Sequence, residues 1–146
     1  MKVVVPLDLS EVAAEAVPRA VDIARGLGDE LVLVTVLSRR LKSDLAELAE
    51  TQNTTVPDMV ESYLKSVAAT AGDVPTSHTV VAGAEEADAL IGFADDESIR
   101  MVVMATHGRS GMERWRLGSV TERVVRHSEV PVLVVPARKL LKRRAG

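Results

Sequence analysis

Apolar residues gather into short, valine-rich runs at Val3–Leu7, Leu31–Leu37, Thr79–Ala82, Met101–Ala105 and Val130–Val135. The runs are nearly continuous rather than alternating, as strands read when helices cover both faces of a parallel sheet. Between them the spacing changes to that of helices. Val12, Ala16, Ala20 and Ala24 recur every four residues, with Val17 and Leu27 beside them, and predict a helix that Ser10 caps and Gly26 or Gly28 ends. Pro18 falls inside it, removes a backbone donor and predicts a kink. Val60, Tyr63, Leu64, Val67 and Ala68 predict a second helix ending near Gly72, and Ala87, Leu90, Ile91 and Ala94 a third. A fourth runs from Gly118 to about Ser128, with Leu117, Val120 and Val124 on one side. Alternating strands and helices predict an α/β fold: a single three-layer α/β/α domain around a five-stranded parallel sheet, with right-handed crossovers.

Two connections are longer than such a fold needs. Ser38 to about Asp58 carries mixed charges and a Thr-Gln-Asn-Thr-Thr stretch, part of it helical in spacing at Leu41, Leu45 and Leu48. Thr106 to Leu117 carries two glycines and three arginines. Long loops in compact α/β domains are often functional, and ligands of open parallel sheets bind beyond the carboxyl ends of the strands. Both connections leave strands at that end, and so does Asp8.

Composition narrows the classes. The chain has 146 residues, enough for one domain with an ordinary core, and no cysteine, which removes disulfides, thiolate zinc sites and cysteine nucleophiles. The first apolar run is too short for a signal peptide, and no apolar stretch approaches the roughly 20 residues of a membrane span. A cytoplasmic protein is expected, with no membrane partner. The net charge of −3 and the single Trp, Tyr and Phe argue against nucleic acid as a partner. Residues 1–137 are expected to form the domain and 138–146 a basic C-terminal tail.

The candidate chemistry lies between the fourth strand and the last helix. A helix opening at Gly118-Ser119 offers unpaired amides and partial positive charge. Gly118 lets an anion approach the backbone, Ser119 adds a hydroxyl, and Gly108 can expose its amide. His107, Arg109, Arg114 and Arg116 add positive charge. Together these suit a polyphosphate. Read by itself, the segment leaves a second account open, in which the glycines serve turns and the arginines face water.

The spacing Ala105-x2-Gly108-x9-Gly118-Ser119 resembles the Gly-x2-Gly-x9-Gly-Ser/Thr motif of nucleotide-binding members of the universal stress protein family. The surrounding Met-Ala-Thr-His-Gly-Arg-Ser-Gly, Leu-Gly-Ser-Val-Thr-Glu-Arg-Val and Pro-Val-Leu-Val-Val-Pro are similar to that family as well. So is Val3-Val4-Val5-Pro6-Leu7-Asp8-Leu9-Ser10-Glu11, which resembles its first strand and Asp-x-Ser turn. The resemblance spans about residues 1–137. It implies a Rossmann-like fold that binds ATP, or AMP or ADP; any divalent ion would arrive with the phosphates, as magnesium does. It implies that Asp8, with the backbone of Pro6 and Leu7, lies beside the adenosine, that Val36 offers backbone hydrogen bonds to the adenine edge, and that Met104 and Ala105 pass under the nucleotide. Gly108, Arg109, Gly118, Ser119 and Val120 would surround the phosphates; His107, read from its position beside them, suits a charge partner rather than a general base. For Asp8 the residues leave two roles open, accepting from ribose hydroxyls or bonding the following turn. Ala105 departs from the motif's first glycine. An alanine there costs on the order of 1 kcal/mol if the position needs positive φ, and adds only a methyl group if it continues the strand.

Other readings fail on their residues. No Walker sequence is present, Gly26-Leu27-Gly28 follows a helix and lacks a third glycine, and the third strand ends in Ala82-Gly83 rather than a receiver's aspartate. His78 precedes the third strand and His127 lies on the last helix, so neither completes a hydrolytic triad. Asp95-Asp96-Glu97 reads as a solvated helix end. The leading function is a nucleotide-dependent sensor or regulatory module that acts on a protein partner, binding ordering the Ser38–Asp58 and Thr106–Leu117 connections. The alternatives are a slow ATPase or self-phosphorylating enzyme, with Ser110 or Ser119 as acceptor, and a nucleotide-free interaction module. The resemblance also implies a homodimer, paired through the strand Pro131–Pro136.

Overall fold

The computed structural model describes residues 1–107 and 117–137, with His107 described by its backbone. The glycine- and arginine-rich segment 108–116 and the basic segment 138–146, expected as a tail, lie outside the described residues. The strands are β1 (Lys2–Pro6), β2 (Glu30–Leu37), β3 (Thr76–Ala82), β4 (Ile99–His107) and β5 (Val132–Ala137). They pair in parallel throughout, in the order β3-β2-β1-β4-β5. The helices are α1 (Glu11–Ala14), α2 (Val17–Leu27), α3 (Arg39–Thr51), α4 (Val56–Ala68), α5 (Glu86–Ala94) and α6 (Ser119–His127), with a 3-10 turn at Ala69–Ala71. This is the expected Rossmann-like α/β fold.

The continuous valine runs follow from two cores. Val3, Val5, Leu7, Leu31 and Leu33 point to one face, against Ala20 and Ala24 of α2 and Val60 and Leu64 of α4. Val4, Val32, Val34, Val36, Val102 and Met104 point to the other, against Leu90 and Ala94 of α5 and Val124 of α6. Both parities of the central strands are thereby removed from water, each large side chain contributing about 1.5–3 kcal/mol.

Local chemistry sets several boundaries that spacing alone misplaces. The helix expected from Ser10 onward is two helices. Ser10 caps α1 by accepting from the Ala13 amide at 3.1 Å, the chain tightens through Glu15 and Ala16, and α2 begins at Val17. Pro18 therefore sits in the first turn of α2, where its missing N–H leaves no bond unmade, and no kinked long helix results. Gly28, at φ 69°, ends α2. The Ser38–Asp58 connection is not a loop. Ser38 caps α3 through the Leu41 amide and Thr55 caps α4 through the Asp58 amide, which leaves only Gln52–Thr55 between helices. The expectation that ligand binding orders this stretch is thereby corrected, because it is already helical. His78 lies within β3 rather than before it, its Nε2 2.6 Å from Glu61 Oε1 of α4. In β5, Pro136 sits inside the strand opposite Thr106 instead of bounding it. An edge strand tolerates that missing donor.

At the amino ends of the strands, Asp29 is buried and bonded to Arg100 of β4, with Arg100 Nη2 3.2 Å from Oδ1. The guanidinium holds the Asp29 carboxyl below its ordinary range. A carboxylate with a depressed folded pKa contributes stability above its unfolded value, near 4, and loses it as the pH falls through the folded value. Arg100→Gln is therefore expected to lower the melting temperature by several degrees at neutral pH. The gap to the wild type should narrow steadily once the pH drops below about 4. Thermal melts across a pH series check this; a gap constant down to acid would refute it.

Candidate functional site

The chain leaves β1 for α1 on one face of the sheet and leaves β4 for α6 on the other, while β1 and β4 lie side by side. Adjacent strands whose exits diverge open a crevice at their carboxyl ends, the place where open α/β sheets take ligands. β1 stops early. The Leu7 amide still donates to the Val34 carbonyl at 2.8 Å, and then the chain turns away. Residues of a parallel strand alternate in the neighbour they bond, so Val36 faces the same side as Val34, now over the end of β1. Its carbonyl accepts from the Ser38 amide at 2.9 Å and keeps a second lone pair.

Asp8 is the first exposed residue after β1. Its Oδ1 accepts from the Ser10 amide at 3.0 Å and from the Ser10 hydroxyl. The turn-bonding role left open by the sequence is therefore real, and one oxygen performs it. Between them Leu9 adopts φ 68°. For a branched side chain this left-handed conformation costs about 1–3 kcal/mol. The Asp8 turn is thus held in a shape the backbone does not prefer.

These groups line a cleft of about 280 Å³ together with residues that the sequence did not point to as site residues. Asp8, Val36 and Val120 are joined there by Ser10, Ser38, Arg40, Leu41, Asp44 and Glu86. The α3 residues arrive because Ser38 starts that helix directly at the end of β2; the serine cap and the Arg40/Asp44 spacing were the available signals. Glu86 opens α5, and nothing in the sequence marked it. Burial pushes its carboxyl above the ordinary range, Asp8 pushes the same way, and Arg40 opposes both. Pro6 and Leu7 are buried beneath the cleft, so only their backbone could meet a ligand.

The α6 side is built around Thr106. Buried near the end of β4, it accepts the Gly118 amide on Oγ1 at 3.2 Å. The expectation that the Gly118 amide is free for an anion is corrected. The remaining donors of that first turn are the amides of Ser119, Val120 and Thr121, which have no acceptor four residues back within the helix. Gly118 has φ −66°, and a Cβ there would meet nothing within 4 Å. Neither conformation nor described packing requires a glycine at this position. Met104 is buried and pairs with Val134, and Ala105 lies inside β4 opposite Val135, with no positive φ. The alanine that replaces the motif's first glycine therefore adds only a methyl group. Gly108, Arg109, Ser110 and the His107 side chain lie outside the described residues.

A larger groove of about 560 Å³ runs between α1, α2 and α4, lined mostly by apolar groups such as Val17, Pro18, Val21 and Val67. It lies on the flank, away from the strand ends. Among the described residues no cluster of His, Asp or Glu could hold a metal, and no helix is long and apolar enough to cross a membrane.

Comparison with known proteins matches residues 1–136 to the universal stress protein family. The universal stress protein MJ0531 of Methanocaldococcus jannaschii is 31% identical over 139 residues, covering 92% of this chain and 81% of that one. The solved structure of MJ0577, from the same organism, superposes with a TM-score of 0.71 at 25% identity, covering 92% of this chain and 94% of that one. A universal stress protein solved in complex with cAMP is 26% identical, with a TM-score of 0.62, covering 94% of this chain and 97% of that one.

Proposed function

Because the chain belongs to the universal stress protein family, we propose that it binds an adenine nucleotide, ATP foremost, at the crevice between β1 and β4 and acts as a nucleotide-dependent regulatory module. The observation that carries this reading is the convergence of Asp8, the Val36 backbone and the start of α6 on one cleft at the strand ends. The relative solved with cAMP supports the same ligand class.

In this reading the second Asp8 oxygen accepts from the ribose hydroxyls, and the Val36 backbone meets the adenine edge over the end of β1. Met104 and Ala105 form the floor. The phosphates extend along the amides of Ser119 and Val120, beside Gly118, toward His107, Gly108 and Arg109. A cleft of about 280 Å³ is at the small end for a ligand site and suits a nucleoside whose phosphates run outward. Magnesium would come on the phosphates, since no described side chains form a cage for it.

The acting unit in this reading is a cytoplasmic homodimer that signals to a protein partner. β5 is an edge strand with Leu133 41% exposed, and Met101 and Val135 are only partly covered on the same face. A second copy pairing along β5 would cover both the edge and these side chains.

The test is direct. Gently purified protein, denatured and examined by mass spectrometry, is expected to release an adenine nucleotide, and calorimetric titration of stripped protein with ATP is expected to saturate at one per chain. The absence of both retained nucleotide and saturable heat would overturn the proposal.

A further inference from the structure

The cleft is an unusual host for an anion. Of the residues that line it, Asp8 comes from the end of β1, Asp44 from α3 and Glu86 from α5, all carboxylates. The guanidinium among them is Arg40, and it is already shared, its Nε 3.9 Å from Asp44 Oδ2. The described wall therefore carries excess negative charge where an anionic nucleotide is proposed to lie.

The acids are not equivalent. Asp8 and Asp44 are exposed, and water screens their charge. Glu86 is partly buried, so its charge acts through less water and reaches the ligand more strongly. It is also held in place. It begins α5 next to a loop whose Ala84 carbonyl accepts the Arg39 amide of α3 at 3.4 Å. Among the described residues, the groups beside Glu86 in the cleft are Asp8 from the β1 exit, Arg40 and Asp44 from α3, and apolar Val120 from α6, with Tyr63 of α4 near enough to feel the Asp8 charge.

We propose, resting on the nucleotide reading above, that Glu86 gates the cleft by charge: protonated it admits the anionic ligand, ionised it repels it, so that nucleotide affinity in this protein rises as the pH falls. Burial, and then Asp8, hold the Glu86 carboxyl above the usual carboxylate range against the opposing pull of Arg40, so it keeps its proton to a higher pH than a free glutamate does. The Tyr63 hydroxyl is pushed upward by burial and then by Asp8, away from this range, so it stays neutral throughout. A nucleotide entering the cleft strips more water from Glu86 and brings further negative charge beside it. Both effects favour the protonated acid, and binding takes up a proton.

The experiment compares wild type with Glu86→Gln, each titrated calorimetrically with ATP at about pH 4, below the unfolded glutamate value, and at about pH 8. ATP changes its own protonation over this range, but the ratio of the two proteins' affinities cancels that. At about pH 8 the variant is expected to bind on the order of tenfold more tightly than the wild type, and at about pH 4 the two should be nearly equal. Melting of the unliganded proteins gives a second readout. A carboxyl with a raised folded pKa contributes stability at low pH and loses it as the pH rises through that value, so Glu86→Gln should melt higher than wild type at the upper pH only. An affinity ratio that is the same at both pH values overturns the gate and leaves the nucleotide reading intact. A variant that binds more weakly at the upper pH does the same, because the ionised carboxylate would then be accepting a bond from the ligand. No binding by either protein at either pH overturns the nucleotide reading and the gate with it.

Discussion

Gly118→Asp is expected to weaken ATP binding on the order of a hundredfold while leaving the melting temperature unchanged or slightly raised. The two effects have opposite signs for one reason. Gly118 is the N-cap of α6 at φ −66°, with open space where a Cβ would stand. A carboxylate there can accept from the amides of Val120 or Thr121, as aspartate does at helix starts, and its charge is favourable at the positive end of the helix. Relative to glycine this stabilises the helix by only a few tenths of a kcal/mol. The amides it would engage are those assigned to the phosphates, and its negative charge adds repulsion; together these are worth about 2–3 kcal/mol against the ligand. Gly118→Ala brings the methyl group without the charge, and a loss of less than about tenfold is expected from it. Calorimetric titration and thermal melts of the pair separate charge from bulk. Unchanged ATP affinity in Gly118→Asp would mean that the phosphates do not rest on the start of α6.

Thr106 shows where sequence reasoning about this motif stopped. The segment from Ala105 to Ser119 suggested an anion site through its glycine spacing and through the strand-to-helix step, both properties of the local chain. That Thr106 takes the Gly118 amide is a contact between residues twelve apart, and a threonine at a strand end has no pattern that announces its partner. The sheet itself was more legible, because burial on both faces writes a continuous valine run into each central strand regardless of its neighbours. The Ser38–Asp58 stretch misled for the opposite reason. Its α3 buries only Leu41 and Ala49, so its apolar stripe is thin, and the caps Ser38 and Thr55 carry more of the signal than the hydrophobic spacing does. Arg40 and Asp44 offered only a weak signal and Glu86 none, because charged residues in the first turns of helices are common, and only the convergence of α3 and α5 on the end of β1 gives them a shared ligand space.

Two residues apart on β2, Leu33→Ala and Thr35→Val are expected to change stability in opposite directions. Leu31 and Leu33 belong to the core shared with α2 and α4, and strand alternation turns Thr35 to the same face. Leu33 is fully buried, so removing its branched end forfeits both transfer energy and packing, about 2–5 kcal/mol. In a domain of this size each kcal/mol moves the melting temperature by roughly 2–4 °C, so a fall of about 10 °C is expected. Thr35 is equally buried, but its hydroxyl is the one buried side-chain polar atom without a hydrogen-bond partner among the described residues. Valine keeps nearly the same shape and removes that unmet group, which should raise stability by about 1–2 kcal/mol and the melting temperature by a few degrees. A fall for Thr35→Val would mean that the hydroxyl is satisfied in solution, a buried water being the ready candidate. Neither side chain lines the cleft, so the nucleotide affinity of the folded fraction should be the same in both variants as in the wild type. That separates them from Gly118→Asp, where affinity moves and stability does not. An ATP affinity that followed the melting temperature in these β2 variants would mean that the cleft is coupled to the tightness of the core beneath it, rather than formed at the strand ends by the turns and helix starts alone.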